Sequence, residues 1–212
     1  ITTGDLTMYQ NIPDFYFDES YPKLYEKIEN AKAVSVSVDN EHGSAISYMM
    51  LREIPIDTDE KYYDLITPYG YGGPIITSLT GDKAALVDSF RLEMEKFCKD
   101  NNVVSEFVRF HPILNNAADF ESIYNPTWDR KTVGTNVRDY EISEEFSKST
   151  KKYIKKALKA GVTYEVIENP SEIDEFKTVY YSTMDRDSAS DYYYFGDEYF
   201  QQILDTLGKY VI

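Results

Sequence analysis

The sequence has a single cysteine, Cys98, and only two histidines among its 212 residues. One thiol excludes a disulfide framework within the chain. So few nitrogen and sulfur ligands argue against a zinc site, and we expect no metal cofactor. No apolar run approaches the length of about 18 residues that a membrane-spanning helix requires. A secretory signal pattern is absent as well, and these absences together lead us to expect a cytoplasmic protein.

Basic residues are outnumbered, because 22 Lys and Arg stand against 37 Asp and Glu, for a net charge of −15. Phosphate backbones bind to basic surfaces, so this balance argues against a protein whose whole surface attracts nucleic acid, although it allows a local basic site. Apolar and aromatic residues are abundant, at 42% hydrophobic with 20 Tyr and 11 Phe. That much aromatic surface excludes a disordered acidic chain and suffices for one large domain or somewhat more.

The first part of the chain carries the periodicities of a mixed sheet. Alternating and β-branched runs predict strands over 33–38, 44–51, 62–67 and 103–110, with a brief helix through 24–28. Asp82 is placed to cap a longer helix whose apolar face repeats at Leu86, Phe90, Met94 and Phe97. This succession of strands interrupted by a helix predicts an α/β fold, a mixed sheet flanked by helices, rather than a bundle or a sandwich.

The character of the chain changes after a further predicted strand over 131–142. Ser143 is followed by two acidic residues and then by a run of lysines that ends at Gly161, which predicts a capped basic helix. We therefore predict a domain boundary near residue 142, with one domain over 1–142 and the N-terminal part of a second over 143–212. The later elements are predicted as a strand over 162–167, a helix opened by Ser171 and Asp174, a helix from Asp197 to Gly208, and the start of a strand at 209–212.

The most unusual stretch is the loop over 67–74, which contains three glycines and two prolines. Glycines such as Gly72 and Gly73 let backbone N–H groups approach a ligand, and Tyr69 and Tyr71 can stack on a sugar or base or donate a proton. The alternative is a tight turn in which the tyrosines only pack. Neither phosphate-loop pattern fits the spacing.

A second candidate follows the strand predicted over 103–110, where α/β sheets tend to place ligands. Arg109 can hold a phosphate or carboxylate with two parallel hydrogen bonds, and His111 can move protons. The alternative pairs Arg109 with a nearby acid such as Glu106 and makes His111 a satisfied turn residue.

The basic helix is the third candidate. Its six lysines, which include Lys152 and Lys156, share a face about 140° wide in a chain that carries −21 elsewhere. Such a stripe attracts phosphorylated ligands, tRNA or an anionic bilayer, although most charge runs are only solvated helix faces. Near the end of the chain, Arg186 is a candidate anion clamp and Tyr193 belongs to a tyrosine run that packing between helices explains equally well.

Several of these stretches together resemble GNAT-superfamily proteins related to the FemAB-type peptidoglycan aminoacyltransferases. The first part of the resemblance is the strand and glycine-proline loop at 62–74, then a helix, then the segment 105–116 with its strand ending in proline. The second part is the basic helix with Gly161-Val162 and a strand, followed by the run 180–186 and its tyrosines. The order and spacing of these pieces make the resemblance specific over nearly the whole chain.

The resemblance implies tandem GNAT-like domains that move an acyl or aminoacyl group to an amine on a cell-wall or surface-glycan precursor. Donors in this superfamily are acyl-CoA or aminoacyl-tRNA, and the acidity of the chain makes tRNA the less favourable of the two. The superfamily's pyrophosphate-binding loop, Arg/Gln-x-x-Gly-x-Gly/Ala, is absent from these residues. We expect that loop and the rest of the second domain past Ile212.

We therefore expect an N-acyltransferase whose acceptor lies between the Tyr69–Pro74 loop, Arg109 with His111, and the start of the second domain. Tyr71 or His111 would transfer the proton, and backbone N–H groups near the paired glycines, or a loop outside the chain, would stabilise the oxyanion. The alternative is a non-catalytic GNAT-like module that recognises glycan through its tyrosines.

Overall fold

The computed structural model describes residues 13–134 and 144–212. The chain divides into two compact units. The first contains residues 13–126 and 169–211, and the second contains the described residues of 127–168 together with residue 212. The predicted boundary near residue 142 lies outside the described residues. The division into domains over 1–142 and 143–212 therefore stays a prediction.

The first unit is built on a five-stranded mixed sheet. Its strands are β1 (Ala31–Asn40), β2 (Gly43–Glu53), β3 (Tyr63–Ile66), β4 (Ile75–Leu79) and β5 (Val103–Phe107). Strand β1 pairs antiparallel along one edge of β2, while β3 and β4 share the other edge, and β3 pairs parallel with β5. The predicted mixed α/β fold is confirmed, although β4 was not among the predicted strands.

The hairpin between β1 and β2 turns at the polar residues that separate the two strands. The side chain of Asn40 accepts a hydrogen bond from the backbone of His42 at 2.9 Å, which closes the turn. Gly43 follows with a φ of +136°, and a Cβ there would lie 2.1 Å from the carbonyl oxygen of Ser78 on β4. Only glycine therefore allows β4 to pair at this end of β2.

One face of the sheet is covered by helix α2 (Lys83–Asp100). Asp82 caps it as predicted, because its carboxylate accepts a hydrogen bond from the backbone of Ala85 at 3.0 Å. The apolar stripe of α2 then packs on the sheet. The buried core comprises Leu86, Phe90 and Met94 of α2 with Ala45, Met49, Leu65 and Phe120. Two short helices, α3 (Asn116–Asp119) and α4 (Glu121–Tyr124), complete this side.

The opposite face is covered by segments from both ends of the first unit. A 3-10 turn at Phe15–Phe17 and helix α1 (Ser20–Lys23) pack there with elements of 169–211. The segment 169–211 contains α6 (Asp174–Arg186), a 3-10 turn (Asp191–Tyr193), α7 (Asp197–Leu207) and a last 3-10 turn (Gly208–Tyr210), and α7 supplies its residues to the core on this face. Tyr21, Leu24, Tyr25, Met50 and Leu207 form their shared core.

Two predictions in this region need correction. Helix α6 begins at Asp174 after an N-cap residue, Ile173, that makes no side-chain cap, so the expected capping box does not form. The end of the chain turns into a 3-10 helix instead of starting a strand, and Lys209 and Tyr210 both bind the carboxylate of Asp18, at 3.0 and 3.1 Å. The predicted start and end of α7 are confirmed.

The second unit contains helix α5 (Lys148–Lys159), capped by Ser147, whose hydroxyl accepts a hydrogen bond from the backbone of Thr150 at 3.1 Å. The predicted cap, Ser143, lies outside the described residues, and the helix begins after it. Most of the predicted strand over 131–142 is likewise outside the described residues. The strand predicted over 162–167 is wrong, because this segment pairs with no described strand and β-branched alternation forms a ladder only when a partner is present. None of the described helices is long and apolar enough to cross a membrane.

Candidate active site

A cavity of about 410 Å³ opens at the carboxyl ends of the parallel strands β3 and β5. Open α/β sheets bind ligands at such strand ends. All of the residues that line the cavity belong to the first unit. The polar residues among them are Glu29, Arg52, Asp64, Thr67, Tyr69, Ser105, Glu106, Arg109 and Tyr192. The cavity therefore combines carboxylates, guanidinium groups and phenols in one concave site.

Arg52 and Asp64 form a pair with two parallel hydrogen bonds at one side of the cavity. They lie opposite each other in the β2–β3 register, so strand pairing itself brings the two side chains together. Arg52 Nε donates to Asp64 Oδ1 at 3.0 Å and Nη2 donates to Oδ2 at 2.6 Å. These hydrogen bonds raise the pKa of Arg52. Both oxygens of Asp64 are thus engaged within the fold.

Glu29 supplies the second carboxylate of the cavity. Tyr192 donates its phenolic hydrogen to Glu29 Oε1 at 2.9 Å, and Arg52 Nη1 lies 3.8 Å from Oε2. The Glu29 side chain is 19% exposed, so it is shielded but reachable. Burial, followed by the hydrogen bond to Glu29, raises the pKa of Tyr192 and keeps it a proton donor. Glu29 is therefore held in place with one oxygen bound only loosely.

Arg109 also lines the cavity, and most of its donors have no partner among the described residues. Its Nη1 donates to the carbonyl of Gly70 at 3.0 Å, and its guanidinium carbon lies 5.7 Å from the ring centre of Phe107. Within the described ranges, Arg109 forms no ion pair. Glu106, the acid considered as its partner, instead accepts a hydrogen bond from Tyr124 at 2.9 Å. The remaining N–H groups of Arg109 are therefore available to an anionic ligand.

Tyr69 forms the aromatic wall of the cavity. Its ring centre lies 5.9 Å from that of Tyr192 and 6.1 Å from that of Tyr25. Burial and a hydrogen bond with Tyr193 raise the pKa of Tyr69. Of the predicted binding residues, the structure thus brings together Tyr69 and Arg109, which line the cavity, and Tyr193, which contacts Tyr69.

Gly72 and Gly73 serve the packing of the loop. The N–H of Gly72 donates to the carbonyl of Arg109 at 2.9 Å, so this group is already engaged within the fold. The carbonyl of Gly72 accepts from the Asn116 side chain at 2.9 Å. Gly73 has a φ of +80°, and a Cβ there would lie 2.8 Å from a methyl carbon of Val108. Both glycines are buried and neither lines the cavity.

Tyr71 and His111 lie next to each other, with ring centres 5.8 Å apart, but neither lines the cavity. The His111 side chain is only 5% exposed, and its Nε2 lies 3.4 Å from Asp14 Oδ2. Its Nδ1 accepts hydrogen bonds from the backbones of Ile113 and Leu114, at 3.2 and 3.3 Å. These contacts are those of a satisfied turn residue, and the proton-transfer role of the pair stays a prediction.

The other predicted residues do not line the cavity. Arg186 is in the last turn of α6, where its side chain is 71% exposed and donates to the neighbouring Asp187 at 3.0 Å. Lys152 and Lys156 are exposed on α5 in the second unit. Their roles in ligand binding stay predictions.

Sequence reasoning missed Glu29, Arg52 and Asp64, and it noted Tyr192 only as part of a tyrosine run. A usable signal was the arginine and the aspartate near the facing ends of two adjacent predicted strands, since cross-strand opposite charges often pair. Nothing local marks Glu29, because its partner Tyr192 is 163 positions away.

Residues 115–212 match a family model described as the FemAB family. This portion, just under half of the chain, is related to the FemAB-type peptidoglycan aminoacyltransferases, which confirms the resemblance for its second part. The strand and loop at 62–74, which carry the first part, lie outside the match. The match includes Tyr192 of the cavity, while the other lining residues precede it. A search of curated proteins finds no match to the chain.

Proposed function

We propose that this chain is part of an N-acyltransferase that modifies an amine on a cell-wall or surface-glycan precursor, and that the Arg52–Glu29–Arg109 cavity binds the acceptor. At the family level, FemAB proteins carry out aminoacyl transfer related to peptidoglycan. The observation that carries the proposal is the cavity itself, whose lining combines a loosely bound carboxylate, Glu29, with Arg109, an arginine that forms no ion pair among the described residues. Tandem GNAT-like domains remain part of this proposal.

The carboxylate suits the acceptor amine. A primary amine is an ammonium ion at neutral pH and must lose a proton before it attacks a carbonyl carbon. We assign both the binding of that ammonium and the removal of its proton to Glu29. Arg52 occupies both oxygens of Asp64. The third carboxylate of the lining, Glu106, lies beside the core residue Leu65 in the strand register and accepts a hydrogen bond from Tyr124. The nitrogen–carbon bond then forms, the bond from the acyl carbon to the donor's oxygen or sulfur breaks, and a proton goes to the leaving group.

Arg109 suits the anionic part of a precursor. Its free N–H groups can bind a carboxylate or a phosphate with two parallel hydrogen bonds, while Tyr69 offers a flat surface to a sugar or peptide. These contacts would hold the precursor on one side while its amine reaches Glu29. Such positioning reduces the entropic cost of bringing the two reactants together.

For the donor we propose acyl-CoA ahead of aminoacyl-tRNA, since the net charge of −15 opposes a large polyanion. Saturable binding of acyl-CoA that weakens with added salt would support this choice. Tight binding of aminoacyl-tRNA, with no response to CoA, would reverse it.

The acceptor assignment is tested by calorimetric titration with a peptidoglycan stem peptide that bears a free primary amine. Glu29→Gln and Arg109→Gln should each weaken binding by about tenfold, the loss of one charge-assisted hydrogen bond. Arg91→Gln is the matched control, because Arg91 forms ion pairs only on the surface of α2. Equal affinities for all four proteins would contradict the assignment.

Mass spectrometry of the peptide after incubation with a donor tests the transfer itself. A peptide whose mass increases by that of the acyl group would support the proposed transferase activity. Binding without transfer by any donor would favour the alternative, a glycan-binding module without catalytic activity.

A further inference from the structure

Three tyrosines of the first unit form a continuous chain of hydrogen bonds. Tyr21 of α1 donates its phenolic hydrogen to the backbone carbonyl of Tyr69 at 2.6 Å. Its phenolic oxygen lies 3.3 Å from that of Tyr25, which in turn lies 3.1 Å from the phenolic oxygen of Tyr199 on α7. None of the three side chains lines the cavity. The chain therefore ends on the backbone of a cavity residue without reaching the cavity itself.

The hydrogen bonds of this chain all point in one direction. Burial raises the pKa of each of its phenols, so all of them keep their single hydrogen at neutral pH. Tyr21 gives its hydrogen to the carbonyl, so Tyr25 must donate to Tyr21, and Tyr199 must donate to Tyr25. Aligned bonds polarise one another, and each strengthens the next. Because a carbonyl cannot pass a proton on, the chain fixes a position rather than moving a proton.

The backbone that the chain holds carries two binding groups of the cavity. The Tyr69 ring is the aromatic wall, and the ring of Tyr25 stacks beside it with ring centres 6.1 Å apart. The next carbonyl after Tyr69, that of Gly70, accepts the hydrogen bond from Arg109 Nη1 at 3.0 Å. A shift of this backbone would therefore move the aromatic wall and the guanidinium together.

We propose that Tyr21, Tyr25 and Tyr199 are positioning residues, which hold the loop backbone so that Tyr69 and Arg109 keep the geometry that binds the acceptor. Tyr199 belongs to the segment that matches the FemAB family, and Tyr25 precedes it by 174 positions, so the chain joins the two parts of the sequence at the cavity. Displacements of about 1 Å in binding groups are enough to impair a site. The link to acceptor binding rests on the proposed function, whereas the positioning of the loop does not.

Carbonyl NMR of the complete 212-residue chain tests the positioning without any ligand, because the sequence makes the signals unique. Only two tyrosines precede a glycine, Tyr69 and Tyr71, so isotope labels in the tyrosine carbonyls and glycine nitrogens give two correlations. Only one glycine precedes a tyrosine, Gly70, so the reverse labelling gives a single correlation. Arg109→Gln marks where the Gly70 signal lies once its hydrogen bond from the arginine is lost.

Tyr21→Phe should move the Tyr69 carbonyl signal upfield, because that carbonyl loses its donor. The Gly70 signal should move toward its position in Arg109→Gln, since the guanidinium follows the loop. The Tyr71 signal is the reference in the same spectrum and should change least.

Tyr25→Phe and Tyr199→Phe leave the donor of the carbonyl in place but remove the polarisation behind it. Each should move the Tyr69 signal by a smaller amount, in that order. Tyr124→Phe is the matched control, because it removes a phenolic hydrogen bond, to Glu106, on the face of the sheet that α2 covers. It should lower the stability measured by urea unfolding and leave the Tyr69 signal unchanged, which separates positioning from a general structural effect.

Calorimetric titration with the amine-bearing stem peptide tests the link to binding. Tyr21→Phe should weaken binding by about fivefold, the equivalent of one net hydrogen bond, and Tyr124→Phe should leave it unchanged. Circular dichroism of each variant, matching that of the parent chain, establishes that the fold is retained. A parent chain that does not bind the peptide would contradict the proposed function, and the carbonyl signals would still decide whether the loop is positioned by the chain.

Three results would overturn the proposal. The first is a Tyr69 signal that Tyr21→Phe leaves unchanged. The second is a Tyr69 signal that responds to Tyr21→Phe but to neither Tyr25→Phe nor Tyr199→Phe, since a single bond would then act without the chain. The third is a parent chain that binds the peptide no more tightly than Tyr21→Phe does, although the carbonyl signals have moved.

Discussion

Tyr192 donates a hydrogen bond to Glu29 across 163 positions of sequence. The bond joins the segment that matches the FemAB family to the region just before the sheet, inside the first unit. The carboxylate that we assign to the acceptor amine is therefore oriented by a residue from the far end of the chain. Loss of that hydroxyl should therefore lower both the stability of the protein and the affinity of the cavity for the acceptor.

Tyr192→Phe should lower the free energy of unfolding by about 1 kcal/mol, the usual net value of one such hydrogen bond. The ring itself is retained, with its contacts to Tyr69 and Tyr193. Urea unfolding measures the stability, and titration with the amine-bearing stem peptide measures a fall in affinity. Tyr194→Phe is the control, since its hydroxyl bonds Asp185 on the surface, and it should leave the affinity unchanged.

Ser47→Ala should stabilise the protein by about 1 kcal/mol, because a buried hydroxyl without a partner carries a desolvation cost. Ser47 is fully buried in β2, and its hydroxyl has no hydrogen-bond partner among the described residues. Thermal and urea unfolding measure the change. Ser44→Ala, which removes a hydroxyl bonded to Asp39, should not stabilise, and a destabilised Ser47→Ala would contradict the reasoning.

Gly73→Ala should cost about 2–3 kcal/mol, since it adds a steric clash to the strain of a positive φ. The added Cβ would lie 2.8 Å from Val108 and 3.0 Å from Phe110. Gly161→Ala is the matched control, because Gly161 has a similar φ of +76° but no atom within 4 Å of such a Cβ. The difference between the two variants in urea unfolding measures the clash alone. Equal losses would mean that the loop relaxes around the new methyl group.

Glu106→Gln should raise stability at pH 7 and lose that advantage at low pH. Burial raises the pKa of Glu106, so the folded protein binds this proton more tightly than the unfolded chain does. The stabilising effect of this proton is complete when the pH is below the pKa of the side chain in the unfolded chain, about 4.3. It is lost as the pH rises through the higher pKa of Glu106 in the folded protein.

Urea unfolding at a series of pH values measures the difference between Glu106→Gln and the parent chain. The amide can still accept the hydrogen bond from Tyr124. Glu93→Gln, at an exposed position of α2, is the control and should show a smaller pH dependence. A Glu106→Gln variant that is less stable than the parent chain at pH 7 would contradict the burial effect.

Elements whose determinants are local in sequence were predictable. Helix α2 and its Asp82 cap follow from apolar spacing and one side chain, and the β1–β2 hairpin follows from alternation around a polar turn. The strand expected over 162–167 has the same alternation and yet pairs with no described strand. The end of the chain forms a 3-10 turn because Asp18 binds Lys209 and Tyr210, a contact that no local pattern contains.

The candidate site likewise contains some residues that could be predicted from the sequence and others that only the tertiary structure identifies. Of the residues chosen by their chemistry alone, Tyr69 and Arg109 line the cavity, whereas Gly72 and Gly73 do not. The residue types of Tyr71 and His111 suggested a catalytic role just as strongly. Only the tertiary structure shows that the His111 imidazole contacts the backbones of Ile113 and Leu114 and the carboxylate of Asp14. Periodicity, caps and turn residues act over a few positions, which is why the sequence alone establishes the mixed sheet and its main helix. Tyr192, which binds Glu29, and Tyr210, which binds Asp18, lie more than 160 positions from these carboxylates. Only the tertiary structure selects these partners, because hydrogen bonds depend on distance in space.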